Sequence, residues 1–341
     1  MKVLVAGTGS IGKRHCQNVL ALGHEVWAYS YRAQQGLTIA GLPEGVHPCN
    51  SLAEDSLRRF DAIVIANKTS QHIALAQAAA ALGTPFFIEK PLGQSLAGVG
   101  ALMKEVERKN IVVEAGFMLR FHPALKWLIA QLQSGLVGDI AYIRAVVGQW
   151  LPDWRPDSDH RAGYGANRAE GGGVLLDLIH ELDLILWAGG PVSEVSAFTR
   201  DWGPLEIETE AVAQVGLRLA SGALAQVTMD YVRPNYYRSL EIVGSQGVCV
   251  WDDCAGTISL ASRGKPAEIV YRTDSAFIRN DMFKSHMHYF LKRIDNPQLA
   301  PASAIDDSIQ ALRLALASHF SAENNKHVSP DAINASFTPR S

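Results

Sequence analysis

The residues that most constrain this chain stand near its start: Gly7-Thr8-Gly9-Ser10-Ile11-Gly12, directly behind the apolar run Val3-Leu4-Val5-Ala6 and ahead of a helix-compatible stretch. Three spaced glycines at a strand-to-helix turn have separable purposes. Gly7 permits the tight turn, Gly9 lets backbone approach an anion, and Gly12 lets the helix pack close to the strand. The N–H groups of Ser10, Ile11 and their neighbours then face that anion at the positive end of the helix. A flexible glycine loop is the plainer reading of the same letters, but the placement between strand and helix points to the pyrophosphate of a dinucleotide.

The strand-then-helix rhythm continues through the first third of the chain. Strand-like segments at 2–6, 25–30, 62–66, 85–88 and 111–115 alternate with helix-like segments at 13–22, 51–59, 71–82 and 98–109. Short apolar strands between helices read as a parallel sheet buried on both faces. Beyond Arg120-Phe121-His122-Pro123 the pattern changes. A helix at 124–134, a strand at 140–149, a polar loop at 150–172 and a helix at 173–187 precede alternating strands at 192–200, 211–219, 223–231, 237–243 and 248–251. Turn residues at Ser221-Gly222 and Ser245-Gln246-Gly247 join some of these strands. Helices at 281–294 and 304–320 close the pattern, and the tail from 322 reads as loosely held. The expected fold class is therefore α/β. Residues 1–120 form a doubly wound Rossmann domain, and residues 121–341 an α+β domain with an open, mainly antiparallel sheet and helices on one side.

At 341 residues the chain suits two domains. A net charge of −3 offers no electrostatic footprint for nucleic acid or an anionic membrane. No apolar stretch reaches the roughly 20 residues that span a bilayer, and the apolar run before Gly7 is too short for a signal peptide. Cys16, Cys49, Cys249 and Cys254 are scattered and read as reduced thiols, so the expected location is the cytoplasm.

The position that meets the adenosine ribose, at the end of the second strand, usually carries an acid. Here it falls on Ser30, within Tyr29-Ser30-Tyr31-Arg32, and no carboxylate stands there. A hydroxyl beside a guanidinium suits a 2′-phosphate, so Ser30 and Arg32 predict NADP(H) over NAD(H), unless Arg32 is merely a solvated side chain. Asn67, Thr69 and His72 follow the next strand and are placed to line the cofactor cleft, although His72 equally suits a cap or packing role. Glu89 and Lys90 close the strand after that and belong to the same cofactor-binding set. A lysine at a strand's carboxyl end, stiffened by Pro91, can hold a reacting oxygen and steady its growing charge. A salt bridge to a nearby carboxylate is its structural alternative.

Farther on, Asp177, His180 and Asp183 recur at threes and lie near one face of an apolar helix. A histidine beside a carboxylate serves as general acid or base, and a satisfied core pair is the plainer reading. No ligand spacing for a metal accompanies them. The 150–172 loop carries Trp154, Arg155, Arg161, Tyr164 and Arg168. Guanidinium forks and flat aromatic faces suit an acidic sugar, and an ordinary solvated loop is the alternative.

Taken together, Gly7 to Gly12, Glu89-Lys90-Pro91, the Gly116-Phe117-Met118-Leu119-Arg120-Phe121-His122-Pro123 junction and the helix at 171–183 resemble the Gfo/Idh/MocA oxidoreductases, the family of glucose-fructose oxidoreductase and inositol dehydrogenase. The likeness spans nearly the whole chain. It implies hydride transfer between nicotinamide and a secondary hydroxyl or ketone of a sugar, polyol or sugar derivative. Lys90 is then the substrate-orienting lysine and His180 the proton-transfer histidine, with Asp177 lining the site and Arg120 at the substrate. It also implies a homodimer or homotetramer. Many members set the aspartate four positions from the histidine, whereas here the spacing is three. The 148–156 segment is similar to a bacterial subgroup associated with surface-sugar synthesis. Two rival functions stand beside this one: a dinucleotide-sensing binding protein, which would need no proton relay, and a glycosidase that retains its NAD.

Overall fold

The computed structural model describes residues 1–37, 39 and 41–339, apart from the side chain of Ala33. The chain divides into two compact units. One comprises Met1–Phe121 with Ile278–Ile309, and the other His122–Phe277 with the residues from Gln310 onward.

In the first unit the chain runs through β1 (Lys2–Ala6), α1 (Ser10–Ala21), β2 (Glu25–Tyr29), α2 (Tyr31–Gln34), β3 (Val46–Cys49), α3 (Glu54–Leu57), β4 (Ala62–Ile65), α4 (His72–Leu82), β5 (Phe86–Ile88), α5 (Val99–Lys109) and β6 (Val113–Ala115). All six strands are parallel, in the order β3-β2-β1-β4-β5-β6. The order reverses between β1 and β4, which is where an open α/β sheet takes its ligand. Every residue of β4 is buried, as are Val3, Leu4, Val5 and Ala6 of β1. Burial on both faces explains their unbroken apolar sequence.

The second unit begins with α6 (Pro123–Gln133) and β7 (Ile140–Gly148). A loop of short 3₁₀ turns leads to α7 (Val174–Asp177) and α8 (His180–Gly189). Seven strands come next: β8 (Val192–Arg200), β9 (Val212–Leu219), β10 (Leu224–Asp230), β11 (Tyr237–Gly244), β12 (Gly247–Asp252), β13 (Thr257–Ser262) and β14 (Glu268–Arg272). The eight-stranded sheet has the order β14-β13-β12-β11-β7-β10-β9-β8. It is mixed rather than purely antiparallel, because β7 and β10 pair in parallel. Burial alternates along β9 and most of β10, so one face carries apolar side chains inward and the other looks outward.

Two long helices end the chain, α9 (Arg279–Asp295) and α10 (Ile305–Asn324). From α9, Met287, Phe290 and Leu291 enter the apolar cluster of Val3, Val5, Cys16, Val19 and Phe87. The span 278–309 therefore belongs with the first unit, an association that a linear division at 120 does not contain.

Other differences from expectation have local causes. The helix expected over 173–187 is interrupted at Leu178 and Ile179, since α7 and α8 are anchored by separate partners, Glu210 and Arg238. The helix expected over 51–59 is the single turn α3. Strand β3 carries Pro48, which edge strands tolerate because their outer N–H groups need no ladder partner. The tail is pinned by an antiparallel bridge between Val328 and Val195 and by burial of Ile333.

Candidate functional site

At the switch point of the first unit, Gly7 has φ +120° and a Cβ there would lie 2.2 Å from the Ala66 carbonyl oxygen. A Cβ on Gly12 would lie 2.0 Å from the Gly7 oxygen. Gly9 differs: it is the N-cap of α1, and a Cβ on it would meet nothing within 4 Å. Among the described residues no side chain caps α1, and no acid occupies its first turn, so the N–H groups of that turn, including those of Ser10 and Ile11, are open to an anion. This cradle fits a pyrophosphate.

Downstream of β2, Ser30 is half-buried while Tyr31 and Arg32 at the start of α2 are exposed. No carboxylate lies in α2. The loop after β4 holds Asn67, whose Nδ2 donates to Gln71 at 3.2 Å and whose buried Oδ1 has no donor among the described residues. Thr69 is buried. His72 is 2% exposed, with Nδ1 2.9 Å from the Pro91 carbonyl and Nε2 3.1 Å from the Asn67 carbonyl. Both nitrogens thus face backbone carbonyls, and His72 braces the loops around the cleft.

At the end of β5, Glu89 is buried and Lys90 half-buried, and the Lys90–Pro91 peptide is cis. The Glu89 carboxylate meets His15 Nε2 at 2.7 Å and accepts the Lys90 N–H at 3.2 Å. Burial acts to raise the Glu89 carboxyl, but the His15 bond and the His15 and Lys90 charges outweigh it and hold Glu89 below the usual carboxylate range. Glu89 is thus a buried carboxylate held by His15 and the Lys90 N–H. Arg120, placed at the substrate by resemblance, is buried and pairs with Asp307 at 2.8 Å.

In the second unit, Asp177 ends α7. It accepts a hydrogen bond from the Tyr164 hydroxyl and another from the Tyr231 hydroxyl at 3.1 Å. Burial, with the Asp177 charge second, keeps the Tyr231 phenol protonated far above its ordinary range, so Tyr231 is a donor. The start of α7 is held by Glu210, which accepts from the Leu175 N–H at 3.1 Å. His180 opens α8 and is buried, while its neighbour Glu181 pairs with Arg238 through bonds of 2.7 and 3.3 Å. Separate anchoring at Glu210 and Arg238 accounts for the break between α7 and α8, and Asp177 and His180 accordingly sit on different helices.

The aromatic loop divides. Trp154 stands edge-on to Tyr231 at 5.4 Å, and its buried indole N–H has no acceptor among the described residues. The Arg155 guanidinium lies 5.8 Å from the Tyr164 ring centre. Arg161, however, is taken up by Asp159 and Glu206, and Arg168 donates to the Glu208 carbonyl at 2.7 Å. Three groups of these networks escaped sequence reasoning: Tyr231, Glu210 and His15. Their partners lie 54, 35 and 74 positions away, and no local pattern marks them.

Comparison with known proteins agrees with this layout. Residues 1–117 match the model of an oxidoreductase family with an NAD-binding Rossmann fold, and residues 126–250 match the GFO/IDH/MocA C-terminal domain. Myo-inositol 2-dehydrogenase of Thermotoga maritima is 25% identical, covering 98% of this chain and 99% of its own. UDP-N-acetylglucosamine 3-dehydrogenase of Acidithiobacillus ferrooxidans is 25% identical over 77% of this chain and 78% of its own. Among solved structures, a levoglucosan dehydrogenase in complex with NADH and levoglucosan superposes with a TM-score of 0.81 at 20% identity, covering 96% of this chain and 99% of the other.

Proposed function

The chain belongs to the Gfo/Idh/MocA oxidoreductase family, and we propose that it moves a hydride between a nicotinamide dinucleotide and a secondary carbinol of a sugar, polyol or sugar derivative. The uncapped, acid-free start of α1 carries the reading, because it is a built anion site at the sheet's switch point. Lys90 leaves the carboxyl edge of the same sheet. When bound, the nicotinamide ring takes up the hydride. Lys90 holds the substrate oxygen through its ammonium, and His180 receives the hydroxyl proton as the C–H bond breaks. Asp177, fixed by two tyrosines, lines the substrate side with Trp154, whose indole N–H is available to a sugar oxygen.

We further infer a preference for NADP(H), supported by Ser30 just after β2, by Arg32 in α2 and by the lack of a carboxylate in α2. Self-association is part of the reading as well. Tyr142 and Leu224 are cross-strand neighbours on the outward face of the eight-stranded sheet and are 43% and 51% exposed. A second copy covering that face would give a sedimentation coefficient above that of a monomer.

The functional test is turnover of myo-inositol, levoglucosan and UDP-N-acetylglucosamine, each with NADP⁺ and NAD⁺, monitored by nicotinamide absorbance. Stoichiometric reduction with one of them is expected. Product formation without net reduction would favour the glycosidase reading, and tight dinucleotide binding with no turnover of any polyol or sugar would favour a sensor.

A further inference from the structure

We propose that His15 and His72 are positioning residues that hold Lys90 from both sides, His15 through the Glu89 carboxylate and His72 through the Pro91 carbonyl. The inference rests on the reading of Lys90 as the group that holds the reacting oxygen.

Both histidines sit on helices that begin at the cofactor cleft, His15 in α1 behind the glycine turn and His72 at the start of α4. His15 is 1% exposed, and its ring packs edge-on to Phe87 at 5.2 Å and Phe283 at 6.4 Å. Its Nδ1 has no hydrogen-bond partner among the described residues, so the ring's polar anchor is the 2.7 Å contact from Nε2 to Glu89. The Glu89 carboxylate fills a slot that exists only because residue 116 is glycine, since a Cβ there would lie 2.7 Å from Oε2. From that slot Oε2 takes the Lys90 N–H. A buried carboxylate without partners would cost several kcal/mol, so the His15 bond determines where Glu89 rests and hence where the Lys90 backbone rests.

On the other side, Pro91 has no N–H to anchor it. Its carbonyl is tied by His72 Nδ1 at 2.9 Å, shorter than the 3.1 Å contact of Nε2 with Asn67. Both partners are carbonyl oxygens, which only accept, and the nearer of them is that of Pro91, so the Nδ1 contact is the tighter hold on this backbone. A lysine on a flexible four-carbon stem reaches a reacting oxygen reproducibly only if its Cα is fixed on both sides.

The two rings use different nitrogens, and amide side chains can mimic each separately. A glutamine amide reaches the Nε2 position and an asparagine amide the Nδ1 position. The experiment therefore compares His15→Gln, His15→Asn, His72→Asn and His72→Gln. H15Q and H72N should keep kcat within about threefold of the parent, whereas H15N and H72Q should lose about 10²-fold, the scale of an ångström's misplacement. Dissociation constants for NADPH should move little in all four. Amide exchange of the 88–95 peptide, read by mass spectrometry, should be faster in H15N and H72Q only. That second measurement needs no substrate, so it judges the clamp even if the parent turns over none of the three compounds. Activity and exchange that track the melting temperature, or four variants that behave alike, would overturn the proposal.

Discussion

The Tyr231 hydroxyl, just past the end of β10, donates to the Asp177 carboxylate at the end of α7 over 3.1 Å, joining residues 54 positions apart. Asp177 receives the Tyr164 hydroxyl as well, so the carboxylate is oriented by two phenols. Replacing Tyr231 by Phe removes one charge-assisted bond, worth roughly 1.5–3 kcal/mol, without changing the packing volume. Chemical denaturation should show a loss of that size. Turnover should fall about tenfold while the NADPH dissociation constant, set in the other unit, stays put.

Gly7 and Gly9 look alike in sequence but should respond oppositely to alanine. A Cβ at Gly7 would collide with the Ala66 backbone at a positive φ, so Gly7→Ala should lower the melting temperature markedly. At Gly9 the Cβ would have no contact within 4 Å among the described residues and would intrude on the space before α1. Gly9→Ala should melt like the parent yet bind NADPH at least about tenfold more weakly, as read by fluorescence titration. Equal melting temperatures for the two variants would argue against the cradle.

Glu210 and His319 are buried with a separation of 3.8 Å, and burial moves them in opposite directions. The Glu210 carboxyl is raised from 4.5 to about 7, so its protonated form suits the fold. That contribution is whole below pH 4.5 and lost as pH rises through 7, about 3 kcal/mol in all. His319 is lowered from 6.5 to about 4, so its contribution is present above pH 6.5 and lost as pH falls toward 4. Glu210→Gln mimics the protonated acid. Its melting temperature should gain on the parent steadily between about pH 4.5 and 7. A constant difference across that range would refute the assignment.

Arg32→Ala should weaken NADPH binding more than NADH binding, by about tenfold in the ratio, because only the former carries the 2′-phosphate. Equal effects on both would leave Arg32 as a solvated side chain at that site.

Much of the first unit was legible because its signals are local. The Gly7-to-Gly12 turn, the apolar β1 and β4, and Lys90 at a strand end each announce themselves within a few residues. Long-range pairing set the features that escaped. The helix expected at 173–187 is apolar throughout, and nothing in its periodicity reveals that Glu210 and Arg238 pull its two halves into separate helices. The sequence offered Arg120 at the substrate and Arg161 as an anion reader, and could not show that Asp307, Asp159 and Glu206 pair with them. His72 was open to two readings by its letters alone. In the structure its two ring nitrogens face the carbonyls of Pro91 and Asn67, contacts that its local sequence does not announce.

If Lys90 holds an oxygen whose proton passes to His180, the most direct test is kcat for Lys90→Ala, His180→Ala and the double variant, with NADPH affinity measured alongside. Each single change should reduce kcat by about 10²-fold or more. The double change should cost far less than the product of the two, since groups serving one step are not additive, and NADPH should bind all three within a few-fold of the parent. Turnover near the parent's in either single variant would contradict these roles.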